Sequence, residues 1–255
     1  MWLRQVALVA HDLEPVVDRL DKVLGLKVAY NDPGVGIFGL VNAVMPVGGE
    51  FLEVVQPVKD DASALRYLRR RGGDAGYMVI FQAADALGER ERIRGLGARV
   101  IAERDGRYTF THFHPGDFGG VLTSVDSVAG VADWFARDSD WPPAGHDWRN
   151  ARNELSTALL GVAVQSASPA ATAARWGRLL GVSVAEGPSG PRLDLARGYV
   201  DFMPPVDEDG TGVVGIDIAV SDPALVIEAA HRHGVLVKGG AVMICGVRFN
   251  LVPAV

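Results

Sequence analysis

Gln5-Val-Ala-Leu-Val-Ala-His-Asp-Leu-Glu-Pro15, completed by Val23-Leu-Gly25, places an apolar strand, a helix and a glycine stop within twenty residues. The same ruler recurs from Tyr77-Met-Val-Ile-Phe81 to Leu96-Gly97 and from Gly161-Val-Ala-Val164 to Leu180-Gly181, the glycine again twenty positions after the first strand residue. A shorter copy runs from Gly215-Ile-Asp-Ile-Ala-Val220 to His233-Gly234. Self-similarity at a fixed spacing predicts a fold assembled from copies of one supersecondary unit.

Each unit reads as strand, helix, then three strands. In the first, Asp12 suits the N-cap, Pro15 the first turn and Gly25 the stop. Val16, Val17, Leu20, Val23 and Leu24 recur at helical spacing, so one helix face packs on a sheet. Strands follow near 27–30, 36–41 and 50–55, parted by Asn31-Asp-Pro-Gly and Pro46-Val-Gly-Gly turns. The second unit repeats this with strands at 77–81, 99–103, 107–112 and 120–125 around a helix at 86–96. The third unit begins at Leu160, and the fourth closes over 247–252.

The 255 residues, 48% of them hydrophobic, supply one or two cores and a length that favours two domains. A formal net charge of -6 argues against a general nucleic-acid binder, which needs a basic face. No apolar run is long enough to cross a membrane. The single Cys245 gives neither an internal disulfide nor a thiolate cluster. With a strand beginning at once and no signal segment visible, a cytoplasmic address is the expectation.

Two stretches stand apart. Arg66, Arg69, Arg70 and Arg71 gather in one short segment, where they either grip an anionic group or complement a helix end. Residues 127–154 carry Trp134, Trp141 and Trp148, and Pro142-Pro143 prevents one continuous helix there. This segment is expected to link residues 1–126 to residues 155–255, its rings either pinning the two halves or covering a cleft.

The opening pattern Gln5 to Glu14 with Val23-Leu-Gly-Leu26 resembles the vicinal oxygen chelate superfamily of glyoxalases, epimerases, extradiol dioxygenases and bleomycin-resistance proteins. Ser63-Ala-Leu-Arg-Tyr-Leu-Arg-Arg-Arg-Gly-Gly73 and His114-Pro-Gly-Asp-Phe-Gly-Gly-Val-Leu122 are similar to the methylmalonyl-CoA epimerases. The resemblance implies an α+β fold: four βαβββ units paired into two cupped mixed β-sheets, with helices on the outer faces. It also implies a divalent metal in the cup, held by four side chains. Those positions fall on Gln5, Glu53, Tyr77 and Ser124, or Thr123 if the register slips. Tyrosine and serine bring little charge to a cation, so the expectation is either no cofactor or a single divalent metal on Gln5 and Glu53. The equivalent positions of the second half, Gly161, Asp201, Ile216 and Asn250, offer less still and suggest a structural role.

Three functions are compatible with this pattern. The first is an isomerase or lyase in which Glu53 removes a proton beside a carbonyl while Gln5 and Tyr77 hold the oxygen. The second is a non-catalytic binder of a planar molecule, and the third a metal-dependent acyl-CoA epimerase with the arginine cluster near phosphates. Phe51, Phe81, Tyr108, Phe110, His112 and Ser124 are the expected substrate-binding residues, although the aromatic rings serve equally well as core. The expected partner is a small molecule, with no nucleic acid and no membrane. A homodimer is compatible with the family's habit of pairing units between chains. Every version requires Gln5, Glu53 and Tyr77 to face one hollow.

Overall fold

In the computed structural model, residues 1–208 and 210–254 are described; Asp209 and Val255, both within the predicted 155–255 half, lie outside the described residues. The first half contributes β1 (Trp2–Val9), α1 (Leu13–Leu24), β2 (Leu40–Val47), β3 (Glu50–Pro57), α2 (Ser63–Arg71), β4 (Ala75–Gln82), α3 (Ala86–Gly95), β5 (Val100–Arg104), β6 (Tyr108–Phe113) and β7 (Leu122–Val128). They form a seven-stranded sheet in the order β2-β3-β1-β4-β7-β6-β5. The second half supplies β8 (Ser156–Gln165), α4 (Pro169–Leu180), β9 (Val184–Gly187), β10 (Gly190–Asp194), β11 (Tyr199–Met203), β12 (Gly212–Val220), α5 (Pro223–Arg232), β13 (Val237–Lys238), β14 (Ala241–Ile244) and β15 (Val247–Pro253). These build an eight-stranded sheet ordered β13-β14-β15-β12-β8-β11-β10-β9.

The repeated ruler becomes a repeated pairing. β1 runs parallel to β3 and antiparallel to β4, which is parallel to β7. β8 does the same with β11 and β12, and β12 with β15. Units therefore join through their first strands, bringing the first and last strands of both units to the centre of each sheet.

α1 forms where its sequence signals lie: Asp12 accepts the N–H of Glu14, and Gly25 ends the helix at a φ of 70°. Its buried Val16, Leu20, Val23 and Leu24 pack on Leu3, Val6 and Leu8 of β1 and on Leu52 and Val54 of β3. Side chains alternate across a strand, so the intervening Gln5, Ala7, Phe51, Glu53 and Val55 face the other way. Among the described residues no helix is long and apolar enough to cross a membrane.

The first unit departs from its predicted layout. No strand forms over 27–30 beyond a single bridge between Tyr30 and Val44, and Pro33–Phe38 is a 3-10 helix where a strand was expected to begin. Asp32 caps that turn through the N–H of Gly34, and Pro33 starts it. Proline removes a ladder donor, and three glycines within the next six residues offer no alternating apolar face.

One apolar core runs from the helical side of the first sheet into the second. Trp176 of α4 meets Phe81, Phe118 and Phe202 edge-on at centroid distances of 6.1, 5.3 and 5.5 Å, and its Nε1 donates to the carbonyl of Phe118 at 2.8 Å. Trp176→Ala removes a fully buried ring from the join and orphans that carbonyl. It is expected to cost about 3–5 kcal/mol in urea unfolding, with both halves melting together at a lower midpoint.

Candidate functional site

The face opposite α1 opens into a cavity of about 980 Å³, lined among others by Gln5, Glu53, Tyr77, Tyr108, Phe110 and His112. Six of the nine side chains expected at the site thus share one hollow. Glu53, on β3, is 6% exposed and accepts Gln5 Nε2 on Oε2 at 2.8 Å and Asn42 Nδ2 on Oε1 at 2.6 Å. The oxygens of both amides are engaged as well. Gln5 Oε1 accepts the indole N–H of Trp141 at 2.6 Å, and Asn42 Oδ1 accepts the backbone N–H of Asp32 at 2.7 Å. Burial raises the proton affinity of Glu53, aided by the negative charge of Asp32, while the two amide donors oppose the rise.

Tyr77 reaches the cavity through a bulge. β1 and β4 pair Ala7 with Met78 and Leu8 with Gly76, leaving Tyr77 as the extra residue, so Tyr77 and Met78 both line the hollow. The Tyr77 ring stands edge-on to Tyr67, and burial pushes its phenol up to about 12, so it stays a proton donor. His112 sits between Phe38 and Phe110 at centroid distances of 5.4 and 4.6 Å, and burial lowers it to about 4, leaving a neutral ring.

Behind this wall, Tyr108 donates its hydroxyl to Asp126 Oδ2 at 2.5 Å, and Ser124 donates to the other oxygen. Desolvation lifts the fully buried Asp126 to about 7 against those hydrogen bonds. The folded protein therefore retains a proton that the unfolded chain releases above its ordinary carboxylate range. Stability contributed by this group is present in acid and declines between about pH 4 and 7, by at most about 1.4 kcal/mol per pH unit. Asp126→Asn is expected to flatten that decline in urea titrations across the window, while the share due to the also-raised Glu50 and Glu53 remains.

Three expected binding residues lie elsewhere. Phe81 points to the helical face and packs on Trp176, because the β1–β4 register places Ile80, not Phe81, on the cup side. Phe51 is sealed beneath Trp141 and Trp148, at centroid distances of 6.2 and 4.8 Å. Ser124 is fully buried, bonded to Asp126 and to the carbonyl of Thr111. The arginine cluster also divides. Arg66 and Arg70 line the mouth, whereas Arg71 is buried against Asp207 and the carbonyl of Gly210.

Sequence reasoning missed Asn42, Asp32, Asp126 and the site role of Trp141. Asn42 had a signal, as a polar residue within the apolar run Leu40-Val-Asn-Ala-Val44. For Trp141 the cleft-covering reading of its segment pointed near the site, but its pairing with Gln5 had no signal, because the two lie 136 residues apart.

The superfamily implies a divalent metal in such a cup, and the donors here do not fit one. The Gln5 oxygen is committed to an indole N–H, both Glu53 oxygens accept amide hydrogens, and Ser124 is turned to Asp126. Among the described residues no group of three or more His, Cys, Asp or Glu side chains could hold an ion. In the second sheet the corresponding residues are spent on other partners. Arg192 clasps Asp201 at 2.6 and 2.7 Å, Asn250 donates to Asp217, which also accepts Tyr199, Ile216 is packed in the apolar core, and the Tyr199 ring lies across Gly161.

Two mixed sheets, each joined from two units through their first strands and one opening on an aromatic-walled cavity, define a glyoxalase-type fold. The sequence profile of the glyoxalase-like domain matches residues 6–180, and the chain belongs to that family. It is 23% identical over 133 residues to an ethylmalonyl-CoA/methylmalonyl-CoA epimerase of Cereibacter sphaeroides, covering 49% of this chain and 97% of that protein. Over the whole fold it is similar to a mutant of 4-hydroxymandelate synthase from Streptomyces coelicolor, with a TM-score of 0.66, 20% identity and coverage of 92% of this chain and 75% of that one. A hypothetical protein from Staphylococcus aureus superposes with a TM-score of 0.69 at 10% identity, covering 98% of both chains.

Proposed function

We propose that this protein is a glyoxalase-like small-molecule enzyme of the isomerase, epimerase or lyase type, acting on a carbonyl-containing substrate with Glu53 as a metal-free base. The observation that carries this reading is a carboxylate buried at the wall of a large cavity and surrounded by neutral N–H donors. Desolvation makes such a group a better base than a surface carboxylate. Tyr77, kept protonated, supplies a hydrogen bond to the oxygen that gains charge as the proton leaves carbon. Protonation of the enolate on its opposite face by a second donor, such as a solvent molecule in the cavity, gives epimerisation, and loss of a β-substituent gives elimination. The aromatic wall of Phe38, Phe110 and His112 suits the apolar body of the substrate, and Lys59, Arg66 and Arg70, which line the hollow together with Asp61 and Asp105, offer cations for any negative group it bears.

The test is exchange of α-protons into heavy water, followed by NMR, with 2-substituted 3-oxo acids and thioesters that include the methylmalonyl-CoA named for the Cereibacter relative. Exchange that survives a chelator supports the reading. Tight binding without exchange would favour the non-catalytic binder, and exchange abolished by chelation and restored by one divalent ion would favour the metal enzyme.

A further inference from the structure

Two amides flank Glu53, and each is held from behind by a group that can only donate. An indole N–H has no acceptor capacity, so the atom of Gln5 facing Trp141 at 2.6 Å is the oxygen and the NH2 group faces Glu53. The backbone N–H of Asp32 fixes Asn42 by the same logic at 2.7 Å. Trp141 is 1% exposed, stacks on Phe51 and meets the edge of Tyr108 at 5.6 Å, so its indole is itself immobile. Resting on the base assigned to Glu53, this arrangement has a consequence for the proton. Once Glu53 has taken a proton from carbon, leaving the C–H electron pair on the substrate as an enolate, it becomes a hydroxyl donor. A free glutamine beside it would turn over and accept that hydroxyl, holding the proton away from the substrate. Neither Gln5 nor Asn42 can turn without breaking a bond to a donor-only partner.

We propose that Trp141, in the segment between the two halves, is a positioning residue: its N–H locks the Gln5 amide as a donor toward Glu53, so that the amide oxygen cannot turn to take up a proton carried on Glu53 and that proton stays available to the ligand. The other titratable groups around Glu53 are Asp32, Tyr77 and Tyr108, and burial holds both phenols protonated. The lock also keeps the Gln5 oxygen from a cation, so the site presents N–H donors and suits a ligand with an oxygen acceptor.

The experiment replaces Trp141 site-specifically with benzothienylalanine, which keeps the ring shape and lacks the N–H; Trp141→Phe is the second variant. The side-chain NH2 signals of Gln5, identified by their loss in Gln5→Met, are followed by 1H–15N NMR from neutral pH into acid, without substrate. In the wild type they are expected to stay split and slow to exchange throughout. In the benzothienyl protein they should shift in acid, and their hydrogen exchange should accelerate about tenfold or more as the amide turns. Where the protein turns a substrate over, kcat for net conversion should fall about tenfold with KM within about twofold, since ground-state contacts are untouched. Gln5 signals that are identical in both proteins at every pH would overturn the lock, even if Glu53 proves to be the base. Unchanged kcat beside a released amide would overturn its role in proton return. Loss of α-proton exchange in the wild type with the amide signature intact would count against the base and leave the orientation standing.

Discussion

Glu53→Gln is expected to leave ligand binding within a few-fold of wild type and to reduce α-proton exchange by about 10²- to 10⁴-fold, the range general-base removal commonly produces. Glutamine keeps the size of the side chain and removes the site for the proton. Because Gln5 and Asn42 both present N–H groups at 2.8 and 2.6 Å, the new NH2 must face one of them, donor to donor. A stability loss of about 1–3 kcal/mol is therefore expected alongside, and unfolding curves must accompany the kinetics. In the wild type, kcat/KM should rise with pH through a midpoint above the ordinary carboxylate range, since the ionised form is the base and burial raises its proton affinity. Full exchange activity in Glu53→Gln would remove this carboxylate from the chemistry.

Gly48→Ala is expected to be among the most destabilising single changes, at about 3–4 kcal/mol and roughly 10 °C in Tm. Gly48 opens the two-residue turn between β2 and β3 at a φ of 66°, which alanine adopts only with strain. Its added carbon would also stand 2.0 Å from the backbone oxygen of Thr157 in β8, an atom that cannot swing aside. Gly73→Ala is the control: no atom lies within 4 Å of its added carbon, and its effect should stay within about 0.5 kcal/mol. Equal melting of the two variants would mean that the β2–β3 turn does not seat on β8.

The units were legible because strand, helix and stop each have a local signature. Asp12 and Gly25 act where the sequence places them, and the alternation of Val6 and Leu8 with Gln5 and Ala7 separates helix face from cup face. The pairing of Glu53 with Gln5 follows from that alternation, since both lie on the cup sides of adjacent parallel strands. Tyr77 and Phe81 could not be assigned a face from alternation alone. A bulge adds one residue to β4 and another lies between Leu3 and Gln5 of β1, and each moves every later side chain across the sheet.

The sequence by itself determined the repeated unit, through short-range periodicity, and the family resemblance, which put Gln5 and Glu53 forward as residues of the first cup. Tertiary structure alone decided which groups that carboxylate meets. Trp141, Asn42 and Asp32 come from a distant segment, a neighbouring strand and a turn, and only their meeting spends the Gln5 oxygen, turns both amides toward Glu53 and removes the oxygen ligands a cation would need. Hydrogen-bond direction at a buried site depends on every partner at once, and these partners lie up to 136 residues apart.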